Sequence, residues 1–176
     1  MDDQTKTTGH VVGGVRMERP FQIRRLGHFG LDMENIEAAR DFYMQNFGFR
    51  IADPLDLGHR LPPEEQGQHG PTTGYFMRHG TDHHSFVIFP RKLRMRLLPH
   101  YNKRCTINQI TWQVSSLREV VDGFNWLNSK GVKIIRSGRD NPGSNWHAYP
   151  LDPEGHTNEI YYGIEQIGWD GLSKPG

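Results

Sequence analysis

Two segments of the chain repeat one pattern of apolar and polar positions. Residues 26–33 and 107–114 both read apolar-x-polar-apolar-x-apolar-x-apolar, an alternation that is typical of a half-buried strand. In each unit apolar residues then recur at steps of three or four, which predicts a helix that ends at Gly48 in the first unit and at Gly131 in the second. Because another strand pattern follows each glycine, both units read strand, helix, glycine stop and strand.

The predicted helices each carry one apolar face, and further strands complete the units. The apolar positions of the first helix are Ile36, Ala39, Phe42, Tyr43 and Phe47, and those of the second are Leu117, Val120, Val121, Phe124 and Leu127. Strand patterns occupy residues 74–78, 84–89, 146–149 and 158–162. Alternation within the second of these places His84 on the same face as Phe86 and Ile88.

Four polar side chains occupy matched places in the two units. His28 in the opening strand of the first unit corresponds to Gln109 in that of the second. Each unit also closes with a strand that carries a polar residue four places after a glycine, His84 in the first unit and Glu159 in the second. Two equivalent pairs are what a pseudo-twofold metal site needs. The alternative is a set of buried polar residues that satisfy one another or the strand backbone.

Composition limits the classes of function. The 176 residues suffice for one domain, and a net charge of +1 gives no bias toward nucleic acid or membrane partners. Cys105, the single cysteine, excludes an intramolecular disulfide and fits a reducing compartment. The sequence has no signal-peptide pattern and no window apolar enough to span a bilayer, so we expect a cytoplasmic protein.

Three segments are expected to lie outside the repeated elements. Residues 1–22 show no clear period and are expected to form a flexible arm. Residues 55–73, rich in Gly, Pro, Glu and His, are predicted to form a loop that either covers a site or is plain surface. The basic run at residues 91–96 is expected to be a solvated connector between the two units.

The order of these motifs resembles the vicinal oxygen chelate superfamily, which includes glyoxalases, bleomycin resistance proteins and extradiol dioxygenases. The likeness covers residues 24–163, and within the superfamily the chain is most similar to the catalytic domain of the type I extradiol ring-cleaving dioxygenases. The features that carry it are Arg25-Leu26-Gly27-His28 before an alternating strand, Asp82-His83-His84-Ser85-Phe86, Tyr149 ten residues before Glu159, and the turn Asp152-Pro153-Glu154-Gly155 that leads to Glu159.

The resemblance implies an α+β fold in which two βαβββ modules form one half-open mixed β-barrel around a metal site. Module one is expected at residues 23–92 and module two at residues 105–165. An arm at residues 1–22 precedes them, and a tail at residues 166–176 follows. Those dioxygenases usually carry an amino-terminal pair of noncatalytic modules that this sequence lacks, so we expect a one-domain form.

The same resemblance implies roles for five side chains. It makes His28, Gln109 and Glu159 the metal ligands, with Fe(II) as the ion and Mn(II), Zn(II), Ni(II) and Co(II) as alternatives. A facial triad of two neutral donors and one carboxylate leaves positions for a diol and dioxygen. His84 is implied either as the acid-base or as a fourth ligand. Tyr149 is implied as a hydrogen-bond partner of the substrate, with an aromatic core residue as the alternative.

Two departures from the family pattern bear on the metal. Gln109 stands where the dioxygenases carry their second histidine ligand, and Asp140 stands where a pocket histidine is expected. A carboxamide oxygen binds a borderline cation less strongly than imidazole does, so we expect weaker or altered metal occupancy. Glutamine is nevertheless a ligand at an equivalent position in the glyoxalases of the superfamily.

The leading hypothesis is an Fe(II)-dependent extradiol-type dioxygenase that cleaves a catechol-like aromatic diol. One alternative is a glyoxalase-type isomerase or lyase in which His28, His84, Gln109 and Glu159 all bind the metal. Another is a non-enzymatic protein of the same fold that binds an aromatic ligand without a metal. The predicted partners are a small aromatic substrate and dioxygen, with no nucleic acid and no membrane. The outer strands could also pair two copies into a homo-oligomer, and the sequence does not decide the oligomeric state.

Overall fold

The computed structural model describes residues 10–12 and 14–173, and their regular elements follow the two predicted units. The strands are β1 His10–Val12, β2 Val15–Met17, β3 Arg25–Met33, β4 Arg50–Asp56, β5 Thr73–Arg78, β6 Phe86–Pro90, β7 Ile107–Gln113, β8 Ile134–Arg139, β9 Trp146–Pro150 and β10 Asn158–Tyr162. The α-helices are α1 Ile36–Phe47, α2 Arg91–Leu97 and α3 Leu117–Ser129. Short 3-10 turns occupy Gly58–Arg60 and Pro63–Glu65.

Eight strands form one mixed sheet. Read inward from either edge, each unit places its second, third, fourth and first strand in that order. The order is β4-β5-β6-β3-β7-β10-β9-β8, so each unit contributes four adjacent strands and its first strand lies at the centre. The two first strands pair antiparallel, whereas each pairs in parallel with the last strand of its own unit. Since β4 and β8 are edge strands, the sheet is open. The predicted α+β fold of two βαβββ modules is confirmed.

The helices of the two modules begin and end where the sequence predicts. The side chain of Asn35 accepts a hydrogen bond from the Ala38 backbone at the start of α1, and Ser116 accepts one from Glu119 at the start of α3. Gly48 closes α1 in the left-handed conformation, which glycine adopts without a steric penalty.

The apolar faces predicted for these helices include more residues than the structure buries. In α1, Ile36 is buried against the sheet, but Phe42 and Phe47 are exposed. In α3, Val120 is buried, whereas Leu117 and Val121 are exposed. Each helix contacts the sheet on one side only, so a stripe of three to four residues suffices and the remaining apolar positions face solvent.

Helices α1 and α3 cover one face of the sheet, and the opposite face is covered only in part. Phe86 and Ile88 of β6 pack with Ile36 of α1. Val87 and Phe89 of the same strand point the other way, where they pack with Leu93, Leu57 and Leu61. The expectation of a plain solvated connector at residues 91–96 is wrong, because these residues form α2 and Leu93 is fully buried.

The segments that flank the two modules pack on them in part. Residues 1–9, 13 and 174–176 of the predicted arm and tail lie outside the described residues. Within the arm, β1 and β2 form an antiparallel hairpin, and Phe21 is buried against the cluster that includes Val120. Within the tail, Ile167 is buried and Gln166 bridges to Asp82. In the described residues, no helix has the length and hydropathy needed to cross a membrane.

Candidate metal centre and cavity

The face of the sheet opposite α1 and α3 holds a cavity of about 270 Å³. Four of the five side chains predicted for the site line it, namely His28, His84, Gln109 and Tyr149. The fifth, Glu159, is fully buried and bonded to the lining residues Gln109 and Asn145. The fold therefore gathers all five side chains at one place, although they come from both modules.

The three predicted metal ligands converge on one point. The distance from His28 Nε2 to Glu159 Oε2 is 3.2 Å, and the Gln109 amide nitrogen lies 2.9 Å from His28 Nε2 and 3.0 Å from Glu159 Oε2. Ligand atoms at right angles around an ion, each roughly 2.1 Å from it, lie about 3 Å apart. A half-turn of the Gln109 amide would present its oxygen in place of its nitrogen. The donor set therefore fits a divalent cation.

Glu159 also has partners that do not depend on an ion. Thr111 donates a hydrogen bond to its Oε2 at 2.9 Å, and Asn145 donates one to its Oε1 at 2.7 Å. Burial by itself raises the pKa of Glu159, but the neighbouring His28 and the hydrogen bonds from His28 and Thr111 outweigh it, so the pKa is lowered. The carboxylate is therefore charged and fully hydrogen-bonded inside the protein.

A second group of potential ligands shares Glu159. Asp140, His147 and Glu159 each offer one ligand atom, and these atoms lie within 4.8 Å of one another. His147 Nδ1 is 3.3 Å from Asp140 Oδ2, and burial lowers the pKa of His147, which favours the neutral form that binds metals. Asp140 is also paired with Arg136 at 2.7 Å, which competes with an ion for its oxygens. This group is looser than the first.

The predicted equivalence of His84 and Glu159 is wrong. Glu159 pairs with Thr111, two residues beyond Gln109. The matching residue of module one must pair with Gly30, two residues beyond His28, and that residue is Val87.

His84 also lies before β6 rather than within it. The predicted strand begins at Phe86 instead of His84 because residues 81–85 follow an irregular path that the alternation did not indicate. His84 therefore shares the cavity side with Val87, and Phe86 and Ile88 lie on the other face.

His84 is nevertheless held beside the candidate ligands by a chain of hydrogen bonds. Its ring centroid is 4.2 Å from that of His28. Its Nδ1 is 2.8 Å from His83 Nδ1, and His83 Nε2 is 2.6 Å from Asp53 Oδ2. Because the Asp53 carboxylate only accepts, His83 donates through Nε2. In neutral His83 the Nδ1 atom then accepts, so His84 donates through Nδ1. This leaves the Nε2 atom of His84 as a free acceptor.

The electrostatic surroundings of His84 and Tyr149 fix their protonation. Burial lowers the pKa of His84 well below its ordinary value, and the nearby His28 and His83 lower it further. Burial also raises the pKa of Tyr149 well above its ordinary value, with Glu159 and Asp140 adding to the effect. His84 is therefore a neutral base and Tyr149 a neutral hydrogen-bond donor across the physiological pH range.

Sequence reasoning missed several polar residues of the site. They are Asp53, Thr111, Asn145 and, as a potential ligand, His147. Two of them had a usable signal, since Thr111 follows Gln109 by two residues and His147 precedes Tyr149 by two, and alternate residues of a strand share a face. Asp53 and Asn145 reach the site only through tertiary packing.

Comparison with known proteins gives one family and many structural matches. The family described as Glyoxalase/Bleomycin resistance protein/Dioxygenase superfamily matches residues 25–160. A halotolerant catechol dioxygenase, BphC, superposes with a TM-score of 0.67 at 18% identity, over 95% of this chain and 51% of that one. The 2,3-dioxygenase LapB from Pseudomonas sp. KL28 gives 0.65 at 15% identity, over 84% and 45%.

A metalloenzyme of another activity is similar to the same degree. The Mn(II)-bound glyoxalase from Novosphingobium aromaticivorans gives a TM-score of 0.63 at 21% identity, over 84% of this chain and 40% of that one. The chain thus spans about half the length of these structures or less, and at such identities the likeness concerns the fold. No curated protein sequence is significantly similar to the chain.

Proposed function

Because the chain belongs to the Glyoxalase/Bleomycin resistance protein/Dioxygenase superfamily, we propose that it is an Fe(II)-dependent extradiol-type dioxygenase of a catechol-like aromatic diol. The observation that carries the proposal is the convergence of His28, Gln109 and Glu159 at 2.9–3.2 Å beside a cavity. Two neutral donors and one carboxylate on one side of an ion leave its other positions open. Similar structures that are catechol dioxygenases support the proposal at the level of the fold.

The protein's own residues provide the remaining functions. Fe(II), when bound, supplies open coordination positions and the redox chemistry for dioxygen. His84, neutral and with Nε2 free to accept, takes a proton from a diol hydroxyl. Tyr149 donates a hydrogen bond to a substrate oxygen as negative charge develops there. Phe76, Val87 and Phe89 form apolar walls that hold the ring, and a cavity of about 270 Å³ suits a substrate with one aromatic ring.

A glyoxalase-type isomerase or lyase is the second candidate, and the strand register ranks it lower. A pseudo-symmetric set of four ligands needs a donor at the module-one position that matches Glu159. That position is Val87, whose side chain has no donor atom. His84 would have to serve from outside the matched position, so three ligands describe the site better than four.

A metal-free binding protein is the third candidate, because Glu159 already accepts hydrogen bonds from Thr111 and Asn145. Such a protein would hold its aromatic ligand in the same cavity without any ion. Metal analysis separates it from both enzyme candidates.

The decisive experiment combines metal analysis with ring-cleavage assays after anaerobic loading with Fe(II). We expect about one ion per chain in the parent protein, and loss of the ion in His28→Ala and Glu159→Ala. His147→Ala removes another buried histidine and serves as the matched control that keeps its ion. A ring-opened product, detected by its visible absorbance under air, is expected only from the proteins that hold iron.

The other outcomes point to different functions. Iron retained in His28→Ala but lost in His147→Ala would indicate that the metal binds to the group that contains Asp140. Iron bound without ring cleavage across a broad panel of diols would favour the isomerase or lyase. No metal in any of the proteins would leave the binding function.

A further inference from the structure

The cavity is lined by more positive than negative side chains. Arg60, Arg94 and Arg136 line it, and Asp140 is the carboxylate among its lining residues. His100 also lines it, and burial together with the nearby Arg94 lowers the pKa of His100, so it stays neutral. A divalent ion at the candidate metal centre would add further positive charge. The chemistry of this wall is therefore that of a site for an anion.

Arg94 is the cavity-lining arginine with a buried donor that lacks a hydrogen bond. Its side chain is four-fifths buried, with a relative exposure of 20%. Its nearest acidic partner is Asp32, with Nε 3.6 Å from Oδ1, and Nε is buried without a hydrogen bond to any described residue. The guanidinium lies over the Phe89 ring, 5.3 Å from its centroid. A buried N–H without a hydrogen bond is costly, because it has given up water without gaining an acceptor in return.

Arg136 brings a second positive charge to the same wall. Its guanidinium lies 4.7 Å from the centroid of the Tyr149 ring and pairs with Asp140. Burial lowers the pKa of Arg94, Asp32 opposes this effect, and the positive charge of Arg136 adds to it. Asp140 is hydrogen-bonded to Arg136, and Asp32 is not among the cavity-lining residues.

We propose that Arg94, assisted by Arg136, binds a carboxylate carried by the aromatic ligand, so that the substrates are aromatic acids rather than neutral diols. A carboxylate matches the planar fork of a guanidinium and accepts hydrogen bonds from its N–H groups. Phe89, under the Arg94 guanidinium, and the other apolar walls contact the ring of the same ligand. The inference rests on the proposed function only in placing a diol at the opposite side of that ring.

The test measures binding of ligands that cannot be cleaved, using isothermal titration of the full chain after removal of metal with a chelator. The probes are phenylacetate, its neutral counterpart phenylacetamide, and acetate, which carries the charge without the ring. We expect phenylacetate to bind about tenfold more tightly than phenylacetamide. In Arg94→Gln the two should bind within about twofold of each other, whereas Lys92→Gln, an exposed cation on the same helix, should keep the full preference.

Two further arms keep the test informative. Arg94→Lys keeps a positive charge beside Asp32, so it should fold even if Arg94→Gln does not. It loses the planar guanidinium, so the preference for phenylacetate over phenylacetamide should fall severalfold. Equal affinities for the acid and the amide in the parent protein, or a preference that Arg94→Lys and Arg94→Gln leave intact, would overturn the inference. So would acetate binding as tightly as phenylacetate. None of these readouts involves turnover, so failure to cleave diols would count against the proposed function alone.

Discussion

Gln109 carries the weakest ligand group of the three proposed metal ligands. It lies between His28 and Glu159 at hydrogen-bond distance from both, so it occupies the third corner of the donor set. Its amide can satisfy a histidine and a carboxylate without an ion, and as a ligand it is weaker than imidazole. We therefore expect the identity of this residue to influence whether the site binds an ion or remains a hydrogen-bonded network.

The variant Gln109→His is expected to bind Fe(II) more tightly than the parent protein, by roughly tenfold, because imidazole replaces a carboxamide. Competition titration against a coloured chelator measures the change. Gln113→His, on the same strand but bonded to Arg25, is the matched control and should leave the affinity unchanged. Equal affinities of the parent protein and Gln109→His would remove Gln109 from the ligand set.

Prediction from sequence succeeded for residues that a local pattern marks and failed for those that only packing brings in. His28 and Gln109 stand at the same place in two similar strands, so comparison of the units finds them. Asn145 donates to Glu159 from the turn before β9, where no periodicity applies. Asp53 reaches His83 across thirty positions of sequence, a contact that depends on how β4 lies in the sheet.

Among the elements, the strand register carries information that spacing in the sequence does not. His84 and Glu159 each follow a glycine by four residues, yet the positions that match in the sheet are Val87 and Glu159. The difference of three residues arises because residues 81–85 bridge to the C-terminal segment through Asp82 and Gln166 before β6 begins. The number of residues that separates two positions does not show that an irregular segment lies between them.

The link from β4 to the segment before β6 has a testable role in orienting His84. Asp53 on β4 fixes the tautomer of His83, and His83 in turn fixes that of His84. Asp53 is 28% exposed at its side chain, and Ser173 also donates to it at 2.6 Å. Asp53 acts through His83 and touches no reacting atom, so it is a positioning residue.

Asp53→Asn is expected to lower kcat/KM for diol cleavage by about tenfold, because the neutral amide no longer holds His83 in one tautomer. Asp56→Asn, on the same strand but bonded to Thr72, is the matched control with unchanged rates. Nitrogen NMR of the His84 ring supplies a readout that a loss of stability would not produce, namely a mixture of tautomers in place of one. A single tautomer together with an unchanged rate in Asp53→Asn would contradict this role.

For the whole molecule, the repeat made the architecture predictable. Each module has its own strand, helix and glycine pattern, and pairing the two first strands generates the observed sheet order. The hairpin of β1 and β2 was not predicted, because its three-residue strands are too short for periodicity to mark. The cover that α2 provides over the cavity face was missed as well, since its basic composition is typical of a surface segment.

Acid sensitivity of folding is a property of the whole chain that follows from two buried histidines. Burial lowers the pKa of both His84 and His147, so the folded chain keeps them neutral at pH values where the unfolded chain, with an ordinary value of 6.5, takes up protons. The unfolded state therefore binds more protons as the pH falls below about 6.5, and the free energy of unfolding decreases there. Above about pH 6.5 both histidines are neutral in the folded and unfolded chains, so they do not lower the free energy of unfolding there.

Urea unfolding of metal-free protein should accordingly show a lower midpoint at pH about 5.5 than at pH about 7.5. In His84→Gln the difference between the two midpoints should shrink, because one of the two groups is gone. His59→Gln removes an exposed histidine and should leave the difference unchanged. Identical midpoints at both pH values in the parent protein would show that the buried histidines do not govern acid unfolding.

The hydrogen bonds that Glu159 accepts from Thr111 and Asn145 also matter for the history of the site. A domain that owes its folding to an ion loses its structure when a ligand mutates, so selection removes such variants at once. Here neighbouring side chains form hydrogen bonds to the buried charge, so we expect the fold to survive without an ion. Descendants of such a chain can lose the ion, exchange one ion for another or become binding proteins through single substitutions.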